Sequence, residues 1–312
     1  MLRYLIRRML YAVPILLGVT LITFFLFFVA IPKDEMARRQ LGKNPTPQQI
    51  QLWLTTRGYD RPILQQFGSQ VGSLFTFQFG NSDVTNEPIW NRITEGAPVS
   101  AKLGTLVLIA STISTIAFAL FLAYYRGTYI DGAGTVISVI LMSVVYTVYI
   151  LITQYTVGRI LKWFPLAGWR GGLSSWQFLL LPMLVGVISG LGASVRFYRT
   201  VMLDEMNLDY VRTARAKGVS ESEILFKHVL KNAAIPIVTS TIMSIPFLIL
   251  GSLLLESFFG IPGLGGITVD AINNQDFATV RAIVFLGSVL YIVGSILTDI
   301  CYALVDPRVR LD

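Results

Sequence analysis

Six stretches of this chain run apolar for roughly twenty residues or more, the length an α-helix needs to cross the hydrocarbon core of a bilayer. They lie at about 9–31, 103–125, 134–158, 176–199, 233–257 and 280–304. Of 312 residues 54% are hydrophobic and 14% charged, with mean hydropathy +0.63, which leaves too little polar surface to clothe a soluble fold of this size. No alternation of about ten residues recurs, which disfavours a transmembrane barrel. The chain is read as an all-α integral membrane protein with six transmembrane helices.

Orientation follows from Lys and Arg in short loops near span ends. One side carries Arg3, Arg7, Arg8, Arg126, Arg196, Arg199, Arg212, Arg215, Lys217, Lys227, Lys231, Arg308 and Arg310, the other only Arg159, Lys162, Arg170 and Arg281. Both termini are expected in the cytoplasm, with the 32–102 segment outside. The first apolar run is too long for a signal peptide and lacks a small-residue cleavage site, so an uncleaved first helix is expected. The net charge of +7 sits mostly where topology requires it and does not argue for nucleic acid.

The chain divides into a tail and first span (1–31), an outer helical loop (32–102) and a core (103–312) that contains a cytoplasmic loop at 200–232. In the outer loop, Thr46 before Pro47 predicts a capped helix over T-P-Q-Q-I-Q-L-W-L. G-Y-D-R-P then predicts a turn into a second amphipathic helix. Trp53, Phe67, Phe75, Phe77 and Phe79 supply apolar area for docking on the membrane domain. Within the spans, Pro14, Pro182, Pro236 and Pro246 predict local bends, and Gly186 to Ser194 predicts close helix packing.

Between the fourth and fifth spans lies D-Y-V-R-T-A-R-A-K-G, Asp209 to Gly218, followed by V-S-E-S-E-I-L. Gly218 ends one helix in the left-handed conformation. Ser220 with Glu223 has capping-box spacing and Val219 with Ile224 hydrophobic-staple spacing, so a second helix starts at once. Leu208, Val211, Ala214 and Gly218 form a narrow stripe whose small end suits close approach by another backbone. Asp204, Glu205, Asp209, Glu221 and Glu223 balance Arg212, Arg215, Lys217, Lys227 and Lys231, so a partner is recognised there by shape and specific contacts. A DNA-reading helix pair is disfavoured because both ends are tethered to the membrane.

Chemistry is scarce. Cys301 and His228 are each the one residue of their type, and no Cys/His cluster has metal spacing. The G-x-G at Gly190 and Gly192 lacks the context of a dinucleotide fingerprint, and no G-x-x-x-x-G-K-[ST] occurs. The acids Glu256 and Asp299 fall near span ends, whereas the span centres carry hydroxyls and amides, with Tyr146, Thr147, Gln154, Ser240 and Ser244 as candidate lining of a weakly polar passage. That pattern disfavours an ion-driven carrier, which needs deep charges or internal repeats. It also disfavours a membrane-embedded enzyme, which needs convergent catalytic groups.

R-T-A-R-A-K-G resembles the E-A-A-x-x-x-G loop of ABC importer permeases in the form found in the dipeptide and oligopeptide permease family. Arg212, Thr213 and Ala214 occupy the E-A-A positions and Gly218 the glycine. K-H-V-L-K-N-A-A-I-P at Lys227 to Pro236, F-G-I-P-G-L-G at Phe259 to Gly265 and D-P-R-V-R at Asp306 to Arg310 are similar to further family motifs, as are G-Y-D-R-P at Gly58 to Pro62 and F-G-N-S at Phe79 to Ser82. I-P-K-D-E after the first span and G-A-P-V-S-A-K-L before the second depart from the family pattern. The resemblance implies the type I ABC importer permease fold, with a helical extracytoplasmic insert between helices 1 and 2, and a first-permease (B-type) subunit in a bacterial plasma membrane.

It further implies a non-catalytic subunit that contacts an ATPase through Tyr210, Arg212, Thr213, Ala214, Arg215, Gly218 and Glu221. The implied partners are a second homologous permease, two ATPase subunits that hold ATP and Mg, and an extracytoplasmic solute-binding protein. No cofactor is expected in this chain. The implied solute is a di- or oligopeptide, with glutathione or a nickel complex as alternatives.

Overall fold

The computed structural model describes residues 2–42 and 44–305, so D-P-R-V-R, with Arg308 and Arg310, lies outside the described residues. The fold is helical throughout, and among the described residues the only β-type pairing is an isolated bridge between Asn81 and Pro88. The first span is α1 (Leu2–Phe24), extended by a π-helical turn over Phe25–Val29. Three short helices follow: α2 (Lys33–Leu41), α3 (Pro47–Thr56) and α4 (Ile63–Phe75). Thr46 caps α3, as expected, and the structure adds a complete capping box with Gln49. Helix α2 is an addition to the expected pair, and it starts in I-P-K-D-E, where Asp34 and Glu35 sit at the positive end of the helix dipole.

Helix α5 (Ile89–Tyr124) starts well before the expected 103. Its 36 residues span about 54 Å, more than a bilayer core, so an amphipathic first section projects beyond the apolar one. The expected third span is not one helix. α6 (Tyr129–Ser143) and α7 (Tyr146–Thr153), with its π-helical extension Gln154–Ile160, meet at 97°. The β-branched pair Val144–Val145 takes extended dihedrals there, and the Tyr149 hydroxyl donates to the Leu141 carbonyl at 2.6 Å, satisfying an acceptor freed at the helix end.

After α8 (Trp176–Met206), α9 (Asp209–Ala216) and the one-turn α10 (Glu221–Glu223), a π-helical stretch leads into α11 (Leu230–Leu250). The fifth expected span also breaks, at Gly251, whose φ of +71° favours glycine. Ser252 then caps α12 (Leu253–Phe259), followed by α13 (Leu264–Asn273) and α14 (Phe277–Val305). Four helices among the described residues are long and apolar enough to cross a membrane by themselves, Ile6–Val29, Ile89–Tyr124, Trp176–Met206 and Phe277–Ile300, and two bent pairs bring the number to as many as six. Pro14, Pro182 and Pro236 lie inside α1, α8 and α11.

Two compact units form. Among the described residues, one holds the chain up to Pro98 with Ile267–Ile296, the other Val99–Gly266 with 297–305. In the first, the predicted aromatics cover the spans: Phe67 meets Phe24 at 5.2 Å, Phe75 and Phe77 meet Phe285 at 5.4 and 6.2 Å, and Phe77 meets Phe79 at 5.9 Å between ring centroids, while Trp53 stacks on Tyr59. Asp276 ties this unit together. It accepts from the Ser82 hydroxyl, the Asp83 N–H (2.9 Å), Thr279 Oγ1 (2.6 Å) and Arg92 (3.3 Å), which gives the F-G-N-S motif a structural task.

In the second unit, the glycines of α8 let helices touch. A Cβ on Gly192 would stand 2.6 Å from the Ser138 carbonyl oxygen of α6, and one on Gly186 would stand 2.7 Å from Val107 of α5, whereas Gly190 faces open space. Glu256, expected at a span end, is fully buried in the turn around α12. Its carboxylate accepts from the Gly266 N–H (3.0 Å) and the Ser252 N–H (3.3 Å), and Ser100, which also bonds it, accepts from the Leu264 N–H (2.8 Å). The carboxylate fills the places where Cβ atoms of Gly251 and Gly263 would stand, at 2.1 and 2.4 Å. Gly263 of F-G-I-P-G-L-G, together with Gly251 before α12, thus makes room for a buried carboxyl group held by backbone donors.

Candidate functional site

The polar helix pair grows out of the end of α8. Leu208 is extended (φ −77°, ψ 155°) and Asp209 opens α9, where its charge suits the helix dipole and its Oδ1 accepts from Arg212 at 3.3 Å. Gly218, at φ +80°, closes a Schellman motif: its N–H donates to the Arg215 carbonyl at 2.9 Å, and the Val219 N–H to the Ala214 carbonyl at 3.2 Å. Ser220 then accepts from the Glu223 N–H at 3.3 Å and starts α10. Only the serine half of the expected capping box forms among the described residues, because the Glu223 carboxylate turns to Lys227 at 3.2 Å.

The small-residue stripe turns inward. Val211 and Ala214 are buried in a core with Met202 and Met206 of α8, Ile224, Leu225 and Val229 beyond the turn, and Ala119 and Ala123 of α5. This corrects the expectation that Ala214 offers a surface to another backbone: it packs against its own chain. Leu208 and Gly218, at the two ends of the stripe, are exposed, and a Cβ on Gly218 would meet nothing within 4 Å. Glycine is needed there for its backbone conformation and not for room inside this chain.

The outward face carries Asp209, Arg212, Thr213, Lys217, Gly218 and Ser220. Arg215 bridges the turn to Glu221, with Nε to Oε1 at 2.6 Å and the second nitrogen to Oε2 at 3.2 Å. That hydrogen bond, helped by the charges of Arg215 and Arg126 and opposed by partial burial, holds the Glu221 carboxyl below its ordinary value. Tyr210 leans inward and donates to Glu205 at 2.7 Å; burial is the main reason its phenol is pushed up. Thr213 donates to the Asp209 carbonyl at 2.9 Å and so stiffens the first turn.

Sequence reasoning gave Arg199 only a role in topology. The structure pairs it with Asp131, largely buried at the start of α6, through bonds of 2.7 and 2.6 Å, and Asp131 also accepts from the Gly127 N–H at 3.1 Å. The D-G after R-G-T-Y-I was the available signal, an acid at a helix start.

Of the five passage candidates, two converge. Ser240 and Ser244 line a pocket of about 290 Å³ with Ser111, Thr112, Thr115, Ser194, Tyr198 and Thr241, and no charged side chain among the described residues lines it. Their hydroxyls also bond within the helix, Ser240 to the Ile237 carbonyl at 2.8 Å and Ser244 to the Thr241 carbonyl at 2.9 Å, while the Tyr198 hydroxyl lies 3.3 Å from Ser240. Tyr146, Thr147 and Gln154 lie elsewhere on α7 and its extension. Gln154 bonds the Phe258 and Leu166 carbonyls at 3.0 and 3.3 Å and so pins the turn after α12.

Comparison with known proteins is consistent along the whole chain. Residues 115–311 match the family described as binding-protein-dependent transport system inner membrane component, and residues 1–104 match its N-terminal counterpart. The dipeptide transport system permease protein DppB of Lactococcus lactis subsp. cremoris is 34% identical over 100% of both chains. The oligopeptide transport system permease protein AppB of Bacillus subtilis is 33% identical over 98% of this chain and 99% of its own. The glutathione transport system permease protein GsiC of Salmonella choleraesuis is 32% identical over 99% of both. Among solved structures, the inward-facing MetNI methionine ABC transporter aligns with a TM-score of 0.54 at 15% identity, covering 70% of this chain and 99% of the matched one, which shows a shared fold. The chain thus has the all-α fold of an ABC importer permease, and it belongs to the family of binding-protein-dependent transport system inner membrane components.

Proposed function

We propose that this chain is one permease subunit of an ATP-driven importer for di- or oligopeptides, working beside a second homologous permease. Two cytoplasmic subunits hydrolyse ATP with Mg, an extracytoplasmic binding protein delivers the solute, and this chain performs no chemistry itself. Both termini and the α9–α10 pair face the cytoplasm of a bacterial cell. The observation that carries the reading is the construction of that pair. Its inner face is locked into one core with the ends of α5 and α8 and the start of α11, while its outer face presents Arg212, Thr213, Lys217 and Gly218 on a rigid, capped frame. A push on that face moves the helix ends as a body, because a close-packed core transmits displacement and does not absorb it. Arg215 with Glu221 holds the angle of the turn, and Tyr210 ties it to α8.

The hydroxyl-lined pocket between α5, α8 and α11 is the part of the passage that this subunit contributes. A wall of hydroxyls without charge lets a zwitterionic solute pass without deep binding. Full-length relatives named for dipeptide, oligopeptide and glutathione transport favour peptides. To test the coupling role, Cys301, the one cysteine, is replaced by Ser and a new cysteine is placed by Lys217→Cys or, as a control, Val211→Cys. A short bifunctional cross-linker is expected to join the Lys217→Cys chain to a co-expressed ATPase subunit and to leave the buried control unreacted. Equal failure at Lys217→Cys, Arg212→Cys and Thr213→Cys in an assembled, ATP-hydrolysing complex would refute it.

A further inference from the structure

A second polar pocket lies in the unit formed by the 32–98 segment, α1 and the start of α14, and the transport reading gives it no task. It encloses about 390 Å³, within the range of small-ligand sites. Among the described residues Arg57, Arg61 and Arg281 line it and no carboxylate does. The nearby acids are engaged: Asp83 holds Arg57 and accepts from the Ala278 N–H at 3.1 Å, and Asp276 holds Arg92 and its hydroxyl and N–H donors. Arg57 is thereby neutralised. Arg281 commits only its Nε, to the Phe277 carbonyl at 3.2 Å, and lays its guanidinium over Phe28 at 4.5 Å. Arg61's side chain has no hydrogen-bonding or ionic partner among the described residues. Arg61 thus faces the pocket without a counter-charge, and Arg281, which feels Asp276 only at a distance, faces it without an ion pair among the described residues.

The same wall holds two glutamines that the chain leaves unsatisfied. Gln66 is 3% exposed and Gln70 7%. Gln66 donates to the carbonyls of Tyr59 (3.0 Å) and Arg61 (2.6 Å), yet among the described residues its Oε1 receives no donor, and neither polar atom of the Gln70 side chain has a partner. Buried side-chain amides are nearly always hydrogen-bonded, and leucine at either position would avoid the deficit. Four residues apart, the two stand on one face of α4 and line the pocket together with Ser69 and Ser73. A group that answers all of this brings negative charge to Arg61 and Arg281 and an N–H to Gln66 or Gln70. A bare anion such as acetate supplies only the first. A carboxylate one residue from an amide N–H supplies both, because it fits the planar fork of a guanidinium while the amide donates to a glutamine oxygen.

We propose that this pocket binds a short peptide by its C-terminal residue, at a place separate from the hydroxyl-lined pocket. The choice of a peptide as the carrier of that carboxylate rests on the proposed function. The test is direct binding to the full-length chain in nanodiscs, without ATPase partners, using trialanine, trialanine amide and sodium acetate as titrants. Trialanine is expected to bind at least tenfold more tightly than either of the others. Arg281→Gln is expected to weaken trialanine at least tenfold, and Gln70→Leu and Arg61→Gln several-fold. Arg61 is exposed at a turn, so its variant keeps the test open should Arg281→Gln fail to fold. Equal binding of trialanine and its amide, or full affinity in folded Gln70→Leu and Arg61→Gln chains, would overturn the site. Peptide import by a complete transporter whose isolated chain shows no such binding would overturn this site alone. Binding with the expected pattern in a chain that joins no ATPase would overturn the importer reading and leave the site standing.

Discussion

Gly218 separates a conformational requirement from a contact requirement, and its replacements have calculable costs. At φ +80°, an L-residue pays roughly 1–2 kcal/mol for the left-handed conformation. Nothing lies within 4 Å of a Cβ built there, so no steric penalty adds to it. Against this, Gly218→Ala restricts the unfolded chain by about 0.4–1 kcal/mol. The net loss is about 1 kcal/mol, roughly a fivefold rise in local opening. Gly218→Asn costs close to nothing, because asparagine visits that region readily. Gly218→Trp costs about as much as Gly218→Ala inside the chain but sets a large side chain on the exposed face. Amide hydrogen exchange at residues 218 and 219, whose N–H groups bond the Arg215 and Ala214 carbonyls, reads the opening, and co-purification with the ATPase reads assembly. Exchange is expected to rank Trp with Ala and Asn with wild type, whereas assembly singles out Trp. If Gly218→Asn opens the turn as much as Gly218→Ala, the conformational reasoning is wrong. If Gly218→Trp assembles normally, the exposed face is not a docking surface.

Three further outcomes follow from the packing. Glu256→Gln replaces a carboxyl oxygen that accepts from backbone N–H groups with an amide NH2 and is expected to destabilise the chain by about 2 kcal/mol in SDS-titrated unfolding; an unchanged midpoint would show that the cradle contributes nothing. Gly192→Ala pushes a methyl to 2.6 Å from the Ser138 carbonyl and is expected to cost about 1–3 kcal/mol by forcing α6 from α8, while Gly190→Ala, facing open space, is neutral or slightly stabilising by the same assay. Glu221, half exposed, has its pKa lowered by Arg215, so its contribution exists above the unfolded-state pKa and fades as pH falls through the lower folded-state value. Glu221→Gln is expected to cost about 0.2–1 kcal/mol at pH 7 and nothing well below about pH 4, and a difference that persists in acid would contradict the ion-pair origin.

The polar turn was legible because its signals are local. Gly218, Ser220 and Val219 with Ile224 each specify a cap that needs no distant partner, and the structure builds them nearly as read. Helix α3 was legible for the same reason, through Thr46 and Pro47. What escaped depends on residues far apart in sequence. The inward turn of Val211 and Ala214 is decided by α5 and α8, and the burial of Glu256 by Ser100 and the glycines beyond α12. Hydropathy also cannot see a break inside an apolar run, so α6–α7 and the stop at Gly251 read as continuous spans although Val144–Val145 and a left-handed glycine interrupt them. Asp276 was missed because its partners Ser82, Asp83 and Arg92 lie nearly two hundred residues upstream.

The most direct test of the importer role is purification of the complex from its native membrane in mild detergent, with the co-purifying chains identified and ATP turnover measured with and without an extracytoplasmic peptide-binding protein. Recovery of P-loop ATPases and a second six-span homologue, with turnover raised by the peptide-loaded binding protein and lost in the Gly218→Trp chain, is the expected result. A chain that purifies alone and accumulates solute under an ion gradient would contradict it.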